Sequence, residues 1–188
     1  MDERFRASAS ALLRRHHLTQ QILQEAGVAV PRSLKVQSLE DLRAYHERAE
    51  TDLTLISREA GWYARRSYDP SISVYPGAEG ENLTAQRVQT GSRFRVCASR
   101  NEPLALLGPT EAGPCSSGLA QRIGSAAIDA VRAIPSLPWG FVDVVVRDSQ
   151  KRSVIVEGIS VKPDLRDFPV LVAGSAEKML DEIAALRG

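Results

Sequence analysis

The sequence is poor in the residues on which most redox, metal and membrane chemistry depends. In 188 residues there are two cysteines, Cys97 and Cys115, and three histidines, His16, His17 and His46. Two thiols outside any CxxC spacing exclude a disulfide framework and a thiolate zinc knot, and both read as reduced core fillers. Three histidines on segments rich in Arg and Glu read as solvated surface groups. Charge of one sign is also lacking: 24 Lys and Arg face 23 Asp and Glu, so no dedicated nucleic-acid face is expected. No run approaches the roughly 20 apolar residues that cross a bilayer. The opening Met-Asp-Glu-Arg-Phe-Arg lacks the apolar stretch of a signal peptide. The expectation is a cytoplasmic protein with no membrane and no nucleic-acid partner. Neither GxxxxGK[ST] nor a helix-opening GxGxxG occurs, which excludes a P-loop and a dinucleotide fingerprint.

What is present is an ordinary apolar fraction, 43%, enough for one packed domain or two small lobes. Leu12, Leu18, Ile22, Leu23 and Ala26 predict a helix over 9–26 with Gly27 as a left-handed C-cap. Leu34-Lys-Val-Gln37 reads as a strand, and Ser38-Leu-Glu-Asp41 as the capping box of a helix that closes before Thr51. Short apolar runs at 53–56, 62–64 and 83–88 predict antiparallel strands. Between them, 68–81 is a Pro- and Gly-rich loop with one brief strand at 72–75. A hairpin is expected from 94–96 and 103–107 around Ser99-Arg-Asn-Glu102. A helix follows at 119–134, then buried strands at 141–146 and 153–156 about the turn 148–151, and a terminal helix at 176–186. The class is α+β, mostly antiparallel, with helices on one face. The division is 1–52, a helix-strand-helix of a first lobe, and 53–188, a sheet and C-terminal lobe forming one compact unit.

Two carboxylates stand inside apolar strand runs, Asp143 in Val-Asp-Val and Glu157 after Val-Ile-Val. Burying a carboxylate there is costly unless a metal, a cation or backbone donors compensate it. On adjacent antiparallel strands the pair can face one side and offer a hard divalent cation two oxygen ligands. The alternatives are exposure at an edge, or pairing with Arg147, Arg152 or Lys162. Arg65 and Arg66, with Arg93 and Arg95, either share an anion-holding groove or alternate along solvated strands. The loop 108–118 precedes a helix start where Ser116 or Ser117 reads as an N-cap rather than a phosphate cradle.

The order of these segments resembles the ATP-grasp superfamily, the fold of D-alanine–D-alanine ligase, glutathione synthetase and related carboxylate–amine ligases. The stretch Leu18–Pro31 with Ala-Gly-Val-Ala-Val-Pro is similar to the family's opening, Gln86–Val96 to its central strand pair, and Trp139–Val146 with Val154–Pro163 to its last hairpin. The resemblance implies a two-lobed ATP-grasp-like fold, reduced in size, with ATP and Mg²⁺ as cofactors. It puts Arg65 at a phosphate-contacting Lys position, Arg95 beside it on phosphate, and Asp143 and Glu157 on the metal. It also marks departures. Ile159 stands at a third, Asn ligand position, with Ser160 as a substitute only if the register shifts by one residue. His16 stands where a Lys is expected, and the short 68–81 loop replaces a glycine-rich flap.

Two functions follow from the resemblance. One is a degenerate module of ligase ancestry, a pseudoenzyme that binds nucleotide or anion and works through a protein partner or as a homo-oligomer, covering apolar surface at Trp62, Tyr63 and Tyr75. The other is an active ATP-dependent carboxylate–amine ligase whose substrate domain comes from another chain. A fragment or early-terminated homologue of a larger ligase is a third. The geometry of Asp143 and Glu157 against Arg65 and Arg95 discriminates between the first two.

Overall fold

The computed structural model describes residues 9, 11–59, 62–77, 83–111, 115–147, 153–162 and 166–187. Among them the chain runs α1 (His16–Glu25), β1 (Ser33–Val36), α2 (Leu39–Ala49), β2 (Leu53–Glu59), β3 (Trp62–Ser67), β4 (Leu83–Arg87), β5 (Ser92–Ser99) and β6 (Pro103–Gly108). It continues as α3 (Ser117–Ala133), β7 (Trp139–Val146), β8 (Val154–Ser160), β9 (Val170–Gly174) and α4 (Ala176–Arg187).

Local chemistry accounts for the element ends. The first helical segment is interrupted at Arg14 and Arg15 rather than running unbroken from 9 to 26. It stops at Gly27, which adopts φ +79°, a conformation that costs glycine nothing. Ser38 Oγ accepts from the Asp41 amide at 3.0 Å, and Asp41 Oδ2 accepts from the Gln37 amide at 3.4 Å. That reciprocal pair starts α2 with an aspartate in the usual Glu place. The turn between β5 and β6 closes through the Ser99 amide donating to Glu102 O at 3.0 Å.

The strands form two antiparallel sheets, β1-β4-β2-β3 and β8-β7-β5-β6-β9. The result is the two-lobed α+β arrangement of two sheets with helices packed on them. In the second sheet, alternation sends Phe94, Val96, Ala98, Val142, Val144 and Val156 to the face covered by Ile123, Ala127, Ala130 and Val131 of α3, and a bulge in β8 brings Ile159 to it as well. Each fully buried aliphatic there contributes about 1.5–3 kcal/mol. The opposite face carries Cys97, Ala105, Leu107, Trp139 and Phe141 against Met179 and Ile183 of α4. Helices therefore cover both faces of this sheet, not one, because successive residues of β5 and β7 are apolar on both sides. The first lobe has its own core of Val36, Leu42, Leu53, Leu55, Leu83 and Ala85.

Three further expectations are corrected. Residues 72–75 form no strand: Tyr75 OH instead donates to Val36 O at 2.9 Å, tying the loop to β1. That same bond places Tyr75 half-buried in the first lobe rather than on an uncovered surface. Strand β9 was not foreseen, since Val170-Leu-Val-Ala-Gly174 is a short run at the edge of the sheet beyond β6. The expected turn at 148–151 and the side chains of Trp62 and Tyr63 lie outside what is described. No helix among the described residues is long and apolar enough to cross a membrane.

Candidate functional site

The site grows from one cross-strand pair. Asp143 on β7 and Arg95 on β5 are register partners, so their side chains leave the sheet on the same side, a few ångströms apart. Arg95 Nε donates to Oδ1 at 2.6 Å and Nη2 to Oδ2 at 3.0 Å, a bidentate charge-assisted pair. The ring of Phe168 lies 4.6 Å from Arg95 Cζ and covers the guanidinium face. Arg95 is buried by this sandwich.

Glu157 reaches the same side as the residue after Val156, which packs in the core with α3. Val144 faces Val156 and Asp143 faces Gly158, so Glu157 is the extra residue of a β-bulge. The bulge keeps Gly158 on that side as well and turns Ile159 and Ser160, beyond it, to the faces opposite to those regular alternation would give them. Arg65, from edge strand β3 of the first sheet, crosses to it: Nη1 donates to Glu157 Oε2 at 3.1 Å and Nη2 to Glu157 O at 3.3 Å. The same Nη2 lies 3.9 Å from Asp143 Oδ2. Arg93 Nε, two residues before Arg95 on the same face, lies 3.6 Å from Glu157 Oε2. Gly158 leaves room for this arrangement, since a Cβ there would sit 3.0 Å from Arg65 Nη2.

Helix α1 supplies a polar backing. Gln20 Nε2 donates to Glu157 O at 3.0 Å, while Gln20 Oε1 is buried without a partner. His16 Nε2 lies 3.3 Å from Gln86 Oε1 of β4. Burial, with the Arg65 charge second, pushes the His16 imidazole down to about 3. At neutral pH it is uncharged, so the position where the resemblance expects a Lys carries no charge.

Arg65, Arg95, Asp143 and Glu157 thus meet in one ion-pair cluster that joins the two sheets. Arg93 joins them, but Arg66 does not: its Nη2 donates to Pro76 O at 2.6 Å, away from the cluster. Arg147 and Lys162 are not among the cations that pair with the two carboxylates. Ile159 is buried against α3 rather than facing the cleft. The bulge is the reason, because it shifts the register so that Ser160, opposite Phe141, shares the face of Asp143. Gln20, Gly158 and Phe168 were not singled out. The Gly following a buried Glu was the signal for the second. Ser116 sits at the N-cap of α3 without a side-chain bond, and burial pushes the Cys97 thiol up to about 12, an inert core group.

Three guanidinium groups against two carboxylates leave one positive charge in excess, which suits an anionic ligand with several oxygen acceptors. Among the described residues no group of three or more His, Cys, Asp or Glu is placed to hold a metal ion. The two carboxylates are nevertheless hard oxygen donors side by side. Mg²⁺ characteristically binds through one or two carboxylates together with substrate phosphates. The donor set therefore fits a magnesium ion that carries phosphate oxygens. A bare ion would meet arginines already seated on both carboxylates.

Solved structures of ATP-grasp ligases share this fold. D-Alanine–D-alanine ligase from Bacillus anthracis complexed with ATP superposes with a TM-score of 0.70 at 15% identity, over 95% of this chain and 68% of that one. The ATP-grasp ligase PsnB complexed with a precursor peptide and AMPPNP gives 0.61 at 18% identity, over 85% and 52%. Carboxyaminoimidazole ribonucleotide synthase from Aspergillus clavatus complexed with ATP gives 0.66 at 14%, over 82% and 46%. The chain spans about half to two thirds of the length of these enzymes. No protein-family model matches it, and no curated protein matches it significantly.

Proposed function

We propose that the chain is a nucleotide-binding module of carboxylate–amine ligase ancestry, a cytoplasmic binding or accessory protein with weak or no catalysis. Its ligand is the polyphosphate of an ATP-class nucleotide, taken into the cleft between the two sheets. One observation carries this reading: Arg65 and Arg93 converge on Glu157 from different sheets, Arg65 reaching Asp143 as well, in a fold that solved structures show complexed with ATP. Arg65 and Arg93 have the exposure to reach phosphate, whereas Arg95 is held on Asp143 and positions that carboxylate. Asp143 and Glu157 would hold Mg²⁺ arriving with the phosphates, where the ion would neutralise their charge. The degenerate reading rests on what surrounds them: an uncharged His16, a buried Ile159 and a short 68–77 segment tied to β1.

A second reading, an active ligase completed by another chain, is supported by the same convergence, because the carboxylates and arginines contact one another rather than diverging. The complex of PsnB with a precursor peptide makes a peptide or protein partner a reasonable proposal for this chain too. Thermal unfolding with ATP, ADP and AMP, with and without Mg²⁺, tests the binding claim, since a ligand of the native state raises the midpoint. Stabilisation in the order ATP, ADP, AMP supports nucleotide binding on both readings, turnover that begins only when a partner chain is added supports the ligase, and no stabilisation by any of the three sinks both.

A further inference from the structure

Arg65 holds the place that a cation would take. Its guanidinium comes from the edge strand of one sheet and spans both carboxylates of the other, with Nη1 on Glu157 Oε2 at 3.1 Å and Nη2 3.9 Å from Asp143 Oδ2. Nη2 also holds the Glu157 carbonyl, which Gln20 secures from behind. Gly158 is the residue whose missing side chain lets the guanidinium lie there. The contact is therefore fitted on three sides.

We infer that Arg65 is an intramolecular counter-ion that couples metal to phosphate in this cleft, and this rests on the nucleotide reading above. With Arg65 seated, a divalent cation entering alone must displace the guanidinium from both carboxylates and leave it only the Glu157 carbonyl as acceptor. A polyphosphate entering alone draws Arg65 away and leaves two adjacent carboxylates without that counter-charge. Only the pair of ligands together satisfies every group, Arg65 moving to phosphate and the carboxylates to the cation. Metal and polyphosphate binding are then positively coupled, and the coupling is reciprocal by thermodynamic necessity. The cleft rejects free divalent cations and accepts them as the nucleotide complex.

The test is titration of the protein with Mn²⁺ alone, ATP alone and the two together, following by its paramagnetic signal only the Mn²⁺ retained with the protein after ultrafiltration, since ATP binds Mn²⁺ itself. The wild type is expected to bind Mn²⁺ weakly alone and on the order of tenfold more tightly when ATP is present, a typical size for such coupling. In Arg65→Ala, Mn²⁺ alone is expected to gain about that factor and the dependence on ATP to shrink. Arg65→Lys keeps the charge without the planar fork that spans two carboxylates, and should fall between. Arg66→Ala removes the same charge from outside the cluster and is expected to match the wild type. If Arg65→Ala gains no affinity for Mn²⁺, or if Arg66→Ala gains as much, the inference fails. Absence of ATP binding in the wild type would overturn the nucleotide reading, while the Mn²⁺ comparison would still decide the role of Arg65.

Discussion

Arg65 Nη1 and Glu157 Oε2 stand 3.1 Å apart although 92 residues separate them in the chain. This ion pair joins the edge of the four-stranded sheet to the bulge of the five-stranded one. The candidate site exists because that contact brings the two lobes' charges together.

The fit of Arg65 depends on the bare Cα of Gly158. In Gly158→Ala the new methyl would lie 3.0 Å from Arg65 Nη2, closer than ordinary packing, and the arginine must shift. A loss of about 1 kcal/mol is expected from such crowding. The informative measurement is a double-mutant cycle by denaturant unfolding: with Arg65→Ala already in place, Gly158→Ala should cost almost nothing. Full additivity would show that the two residues do not meet.

Arg95 and Arg93 lie two residues apart yet should separate stability from binding. Arg95 is clamped between Asp143 and Phe168, so Arg95→Ala strands a partly buried carboxylate and should cost about 2–4 kcal/mol. Arg93 is half exposed and makes a long contact to Glu157. Arg93→Ala should cost under about 1 kcal/mol and show its effect as weaker nucleotide binding. Unfolding curves and ATP titrations of the two variants check this, and a reversed pattern contradicts the assignment.

His16 gives the fold a pH dependence of known sign. Its folded-state value is depressed to about 3 from an ordinary 6.5 by burial and the Arg65 charge. Between those values the unfolded chain binds the extra proton, so stability is full above about 6.5 and falls steadily toward 3. The slope from this one group is at most about 1.4 kcal/mol per pH unit. His17 is depressed in the same direction, by burial and then Lys35. His16→Gln should therefore flatten the acid limb of stability against pH without abolishing it. An unchanged limb would mean that His16 is not buried in the neutral form.

Ile159 tests the register. If the strand alternated regularly from Glu157, Ile159→Asn would present an amide to the cleft and strengthen metal binding. Because the bulge turns Ile159 into the core beside α3, the variant should instead bury an amide and lose about 2–4 kcal/mol. Unfolding of Ile159→Asn alongside Ser160→Asn decides between the two, the latter being the position on the Asp143 face.

Much of this architecture is legible in the sequence because periodicity and caps are local. The capping box at Ser38, the stop at Gly27 and the apolar repeat of α3 each follow from residues within a few positions of one another. The cost of burying Asp143 and Glu157 inside apolar strands likewise pointed to compensating charge. What resisted reading is non-local. Strand alternation says nothing of a bulge, so the facing of Ile159 and Ser160 could not be read. Composition and charge leave Arg65 and Arg66 equivalent, the resemblance favours Arg65, and the pairing of β3 at the sheet edge carries Arg65 to Glu157 while Arg66 turns to Pro76. The same holds for Phe168, whose ring meets Arg95 across the fold.

The measurement that tests the central claim most directly is calorimetric titration of ATP with Mg²⁺ into the wild type and into an Arg65→Ala, Arg93→Ala double variant whose folding has been verified. The account predicts saturable binding by the wild type that is strongly weakened in the variant. It is contradicted by absence of binding at millimolar ATP, or by binding that survives the loss of both arginines.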